Sequence, residues 1–175
     1  RTGRWSSDLP NHPVVGVSRY EALAYCRWLT QVMCGSDRCP DALRKLLREQ
    51  GWCVMLPSEA QWEKAARGAH GGTYPWGEEI DSQRANYDDT GIGTTSAVGC
   101  FPRGANSLGL LDMSGNVWQW TRTLRDGGEQ LRRKPDDWTV LRGGAFDDPG
   151  FFCRSAVRVD GYPLNRYGSI GVRIA

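Results

Sequence analysis

The sequence predicts an α+β, loop-rich fold with two main helices and short mixed strands. Three observations lead there. Two helix-start signatures lie among the first 70 residues. From His70 onward, Gly, Asn, Asp, Ser and Pro recur every few residues and apolar runs shrink to three or four. The 175 residues also include 22 glycines and 8 tryptophans. Glycine at about 13% is nearly twice the ~7% norm, while Gly plus Pro stays below the ~25–30% of low-complexity chains. The length suits one domain, so residues 1–175 are read as a single unit.

The elements follow in order. Ser18-Arg19-Tyr20-Glu21 is a capping box, in which the serine hydroxyl accepts from the third amide and Glu21 reaches back to the cap. Ala22, Leu23, Cys26 and Leu29 then form one apolar stripe that Gly35 can end. Ser58-Glu59-Ala60-Gln61 repeats the device, with Trp62, Ala65 and Ala66 inward and Gly68 as the stop. Between the two, 41–50 reads as a short amphipathic helix burying Leu43, Leu46 and Leu47. Strands are expected at 117–121, 139–142, 153–159 and 170–174. In the first strand, Trp118 and Trp120 share a face and can anchor a core poor in aliphatic runs. The tryptophans as a group are expected to build the fixed framework.

Composition excludes several classes of function. Helix bundles, coiled coils and collagen do not tolerate this Gly and Trp content. The 22 Lys and Arg are interspersed with 20 Asp and Glu, which argues against nucleic-acid binding through phosphate neutralisation. No apolar window approaches the ~18 residues of a membrane span. With only His12 and His70, a three-histidine metal site is excluded. Phosphate-binding loops, GxSxG elbows and HExxH are absent. The adjacent pairs Asp88-Asp89 and Asp147-Asp148 read as solvated loop groups, since a catalytic dyad needs facing carboxylates. Six cysteines (26, 34, 39, 53, 100 and 153) read mainly as free or buried thiols; a local 34–39 disulfide and, less favoured, a zinc site remain alternatives.

Six blocks occur in a fixed order: HPVVGVSRYEALAYCRWL (12–29), LPSEAQWEKAARG (56–68), YPWG (74–77), ANYDDTG (85–91), NSLGLLDMSGNVWQW (106–120) and LRGGAF…CRSAVR…IGVRIA (141–175). Together they resemble the formylglycine-generating-enzyme/sulfatase-modifying-factor family, a variant of the C-type lectin fold. The resemblance implies an upstream section that this chain lacks, and it marks 30–55 as a longer link than usual. Arg142, Arg154, Arg158 and Arg173 read as framework residues pairing with carboxylates or carbonyls. Gly143-Gly144 permits a positive φ.

The family's oxidase holds copper with two cysteines five residues apart, and soft thiolates suit Cu(I). Counted from Gly143-Gly144, Cys153 falls at the second position and Asp148 at the first. A hard carboxylate does not replace a thiolate there, so the expectation is no enzyme activity, with the oxidase or a non-catalytic scaffold as the alternative.

Residues 143–175 also resemble the C-terminal variable region of diversity-generating retroelement proteins, which display hypervariable side chains for ligand binding on this fold. Adenine randomisation of AAY codons gives NNY codons, which cannot encode Lys, Glu, Gln, Met or Trp. Residues 1–142 contain 27 of these five types and residues 143–175 contain none. The implied ligand-binding positions are Phe146, Asp147, Asp148, Phe151, Phe152, Val157, Val159, Asp160, Gly161, Tyr162, Leu164, Asn165, Tyr167, Gly168 and Ser169. Rigid rings mixed with small polar groups are what a paratope uses.

No cofactor is required by this reading, although the resemblance implies two places for Ca²⁺. One uses Asn86, the Tyr87 carbonyl and Asp89. The other uses Asp112, the Gly115 and Val117 carbonyls and Gln119, where the enzymes carry Glu. Oxygen donors from loops suit this ion. The expected partner is a protein or other macromolecular ligand on the C-terminal segment, with an upstream domain in the full-length protein. The cytoplasm is favoured over the cell surface as its location.

Overall fold

A computed structural model describes residues 9–129 and 137–175. Helix α1 spans Arg19–Gly35, α2 Asp41–Glu49 and α3 Glu59–Arg67. Both capping boxes form. Glu21 N donates to Ser18 Oγ at 3.3 Å, and Ser18 N donates back to Glu21 Oε2 at 2.8 Å. Gln61 N and Ser58 N make the corresponding bonds at 3.1 and 2.9 Å. Helix α2 is the short amphipathic helix between the two main ones, packed through Leu47 with Leu43 and Leu46 half-buried.

Strands β1 (Trp118–Leu124), β2 (Thr139–Arg142), β3 (Arg158–Gly161) and β4 (Ile170–Gly171) form one sheet in the order β3-β2-β1-β4. The β1–β2 and β2–β3 pairs are antiparallel, and β1–β4 is parallel. Three strand boundaries differ from the sequence reading. β1 continues past residue 121 because its pairing with β2 runs on to Leu124 opposite Thr139. The expected strand at 153–159 begins only at Arg158. Pro149 precedes a 3₁₀ turn, Gly150–Cys153, and the Cys153 carbonyl is tied down by the Ser114 hydroxyl at 2.7 Å. β4 is short because the chain leaves the sheet after Gly171. Arg173 reaches the 111–112 carbonyls, while Ala175 and Met55 exchange backbone bonds of 2.9 and 3.0 Å.

The main core gathers Ala22, Leu23 and Cys26 of α1 with Leu56, Trp118, Trp120, Leu141, Ala145 and Ile170. Trp120 is fully buried and its indole N–H donates to the Val17 carbonyl at 2.9 Å. The aromatic framework is smaller than expected. Trp62, Trp118 and Trp120 are buried, whereas Trp28, Trp52 and Trp138 are exposed. Trp76 is half-buried, and Trp5 lies outside the described residues.

The opposite side of β1 is closed by α3. Arg142 is completely buried, pairs with Glu63, donates to the Val157 carbonyl at 2.6 Å and lies 5.4 Å over the Trp62 ring. Arg158 pairs with Glu59 at 3.1 Å. Two β-strand arginines are thereby held by one helix face, as their framework reading required.

Candidate functional site

The C-terminal segment leaves β2 through Gly143 and Gly144, at φ 106° and 73°. A Cβ at Gly144 would sit 2.9 Å from Cys153 Sγ, so the backbone closes directly over that sulfur. Cys153 is fully buried, and burial, followed by the nearby Asp148 charge, pushes its thiol up to about 12. Asp148, five residues earlier, closes the preceding turn, where its N–H donates to the Ala145 carbonyl at 3.2 Å. Its Oδ2 accepts from Ala145 N at 2.9 Å, and its carbonyl accepts from Asp88 N at 3.0 Å. Burial raises the Asp148 carboxyl, with the Ala145 amide and the Trp118 indole opposing the rise. A protonated thiol and a hydrogen-bonded carboxyl under a closed backbone make a packing element.

The remaining implied positions fall into two sets. Asp147, Phe151, Leu164 and Tyr167 are exposed. Phe146, Val157, Val159, Asp160, Tyr162, Asn165, Gly168 and Ser169 are half-buried. Between them, Cys153, Ser155, Pro163, Ile170 and Gly171 are buried. Exposed and buried residues therefore alternate along one segment whose ends are fixed.

The structure corrects the expectation at three positions. Gly161 is buried in β3, where a Cβ would meet Leu141 Cδ1 at 2.7 Å and the Trp120 ring at 2.9 Å. Phe152 packs edge-on against Trp118 at 6.1 Å and belongs to the core margin, although its ring also meets Phe151 at 4.2 Å. Asp148, read as a solvated group, turns inward as described. Val157 and Val159 also rest partly on the core. Asp160 is paired with Arg125 at 3.2 Å, and Tyr162 meets Trp138 edge-on at 6.3 Å.

The connection from β3 to β4 is anchored on α1. Arg19 N donates to the Pro163 carbonyl at 3.0 Å, and Arg166 grips Glu21 through two 2.9 Å bonds. That pair and the Ser18 cap hold the Glu21 carboxyl down to about 2. Sequence reasoning missed Asn116 as a hub. At φ 69° it bonds both ways with Ser96, at 2.9 and 3.2 Å, and its carbonyl accepts from Phe146 N at 3.0 Å. Its place after Gly115 in the tight SGN triplet was the available signal, since Asn tolerates left-handed backbone.

The two calcium positions differ. At the first, Asn86 is buried, its Nδ2 donates to the Thr94 carbonyl at 2.9 Å, and its Oδ1 has no partner among the described residues. Asp89 is exposed on the 3₁₀ turn beside it. An unpartnered buried amide oxygen fits a hard cation. At the second, Gln119 Oε1 already accepts from Trp62 Nε1 and from Arg173 Nε, both at 2.8 Å. That donor set does not fit the ion. Among the described residues, no group of three His, Cys, Asp or Glu could hold a metal.

This α+β scaffold, with Cys153 and Ser155 buried and its sheet braced by arginines, is one already known in other proteins. A model of the sulfatase-modifying factor enzyme 1-like domain matches residues 1–175, and the chain belongs to that family. It is 36% identical over 130 residues to the formylglycine-generating enzyme of Mycobacterium tuberculosis, covering 67% of this chain and 35% of that one. It is 30% identical over 179 residues to the inactive Cα-formylglycine-generating enzyme 2 of Bos taurus, covering 93% of this chain and 50% of that one. The chain thus spans half or less of the length of these relatives. Among solved structures, variable protein 1 of Treponema denticola shares the fold, with a TM-score of 0.73 at 23% identity over 94% of this chain and 70% of that one. Its family thus includes both an enzyme and a relative named as inactive.

Proposed function

We propose that this chain is a ligand-binding member of the family, the variable protein of a diversity-generating retroelement, and that it performs no oxidation. The observation that carries this is the burial pattern of 143–175. Of the positions implied to vary, only Gly161 is fully buried, while the intervening Cys153, Ser155, Pro163, Ile170 and Gly171 are closed off. Such a segment can change its outward side chains while its inward ones hold the fold. Phe151, Leu164 and Tyr167 offer exposed apolar area, and Asp147 adds an exposed charge on the same segment. Rings give contact area at small entropic cost, and polar neighbours adapt their hydrogen bonds. The ligand is a protein or other macromolecule. That a solved relative of this fold is itself named a variable protein supports the reading. Calcium belongs to it as a structural ion at Asn86 alone.

The buried, protonated Cys153 and the carboxyl of Asp148 speak against copper binding by a thiolate pair. Sequencing the surrounding locus tests the main reading. A neighbouring reverse-transcriptase gene and a near-copy of the 3′ coding segment differing at adenines are expected. Absence of both overturns it. The oxidase reading requires aldehyde formation on a cysteine-containing peptide with copper present, and a mass loss in that assay would restore it.

A further inference from the structure

We infer that the guanidinium of Arg173 is a built-in cation that takes the place of the second calcium ion. The side-chain oxygen at position 119 that would hold the ion is already committed. An amide oxygen has two lone pairs, and Gln119 Oε1 spends both, on Trp62 Nε1 and Arg173 Nε at 2.8 Å. The Asp112 carbonyl likewise accepts twice, from Gln119 Nε2 at 2.8 Å and Arg173 Nη2 at 3.0 Å. Arg173 Nη2 also donates to the Leu111 carbonyl at 2.8 Å. Asp112 Oδ2 accepts from Gly99 N at 2.8 Å, and the Gly115 carbonyl accepts from Val117 N at 3.0 Å. An ion that takes 6–8 oxygens would have to draw most of them from water here, without the side chain at 119.

Charge points the same way. Gln119 is neutral and 3% exposed, so Asp112 is the acidic side chain of this donor set, and it faces a cation that cannot lose its proton. Adding a divalent ion would place three positive charges against one carboxylate and would compete for a Gln119 oxygen that already accepts two hydrogen bonds. The guanidinium also does mechanical work a free ion would not. It ties the chain after β4 to the loop that enters β1, so the C-terminal residues are fixed without any solute.

The test is a count of bound Ca²⁺ per chain by equilibrium dialysis at ~1 mM free ion, within the range of weak extracellular sites. It is read together with the Trp62 indole N–H resonance, because Trp62 donates to Gln119. The expected result is at most one ion, with that resonance unmoved. Two ions, or a resonance that moves with calcium, overturns the inference. The double variant R173M/Q119E is expected to bind one ion more than the parent. A folded double variant with no gain overturns the claim that the guanidinium keeps the ion out. If it does not fold, the parent's count decides.

Discussion

Replacing Gly161 separates the residues that can be displayed from those that hold the sheet. A Cβ there comes within 2.7 Å of Leu141 Cδ1 and 2.9 Å of two Trp120 ring atoms. Both neighbours are packed in the core, at 3% and 0% exposure. Leu141 lies in β2, and Trp120 is pinned by its 2.9 Å bond to Val17. Overpacking of this kind costs about 1–3 kcal/mol. For a domain of this size, 1 kcal/mol corresponds to about 2–4 °C in melting temperature, so Gly161→Ala should melt roughly 2–12 °C below the parent. Tyr167→Ala and Leu164→Ala, at exposed positions 57% and 46% accessible, should stay within about 0.5 kcal/mol of it. Circular dichroism melts of the three proteins side by side make the comparison. A Gly161→Ala protein as stable as the parent would refute the reasoning, because β3 would then yield to a side chain and position 161 would be open to variation.

The two adjacent phenylalanines should part company. Phe152→Ala loses its Trp118 contact and should cost about 2–3 kcal/mol, below the usual range for a fully buried ring, while Phe151→Ala costs little; urea titrations measure both. Thiol alkylation of the native protein, read by peptide mass spectrometry, should label Cys53 and Cys100 and spare Cys153 between pH 7 and 9. Because the folded thiol is raised to about 12, the native state keeps a proton that the unfolded chain releases near its ordinary value. Stability must then fall as pH rises from about 9 towards 12, and Cys153→Ala should remove one proton's worth of that slope. Glu21 works in the opposite sense: its carboxyl is lowered to about 2, so its contribution is full above the ordinary carboxylate range. The melting difference between the parent and Glu21→Gln should close as pH falls from about 4.5 to about 2, and a constant difference would refute the pairing with Arg166.

The helices were legible because their signals are local. Ser18 with Glu21, and Ser58 with Gln61, specify their caps within four residues of sequence, and both form as expected. Arg142 and Arg158 were also readable as braces, though their partners on α3 were not. The strand at 153–159 was misplaced because its fate depends on Ser114, 39 residues away, whose hydroxyl bends Cys153 out of line. Gly161 and Phe152 were misassigned for a related reason. Alternation with framework residues marks a position as outward only when the strand is straight, and whether a neighbour such as Trp120 lies beneath it is a tertiary fact. Arg173 carried too general a signal: an arginine near the end of a strand could brace any carbonyl. Only the structure shows that it answers the Gln at 119.

The spacing of anchored residues in the last 33 positions sets a rule about number as well as type. Cys153 beneath Gly144, Pro163 under Arg19, Ile170 opposite Trp118 and Ala175 against Met55 are fixed points along the chain. An outward side chain between two of them can be exchanged, because nothing downstream moves. An inserted or deleted residue shifts every later fixed point by one place, turning a buried group out and an exposed one in. Copying errors that preserve length are tolerated at the outward positions, and those that change it displace the fixed points. Any process that rewrites this segment must therefore substitute without slipping.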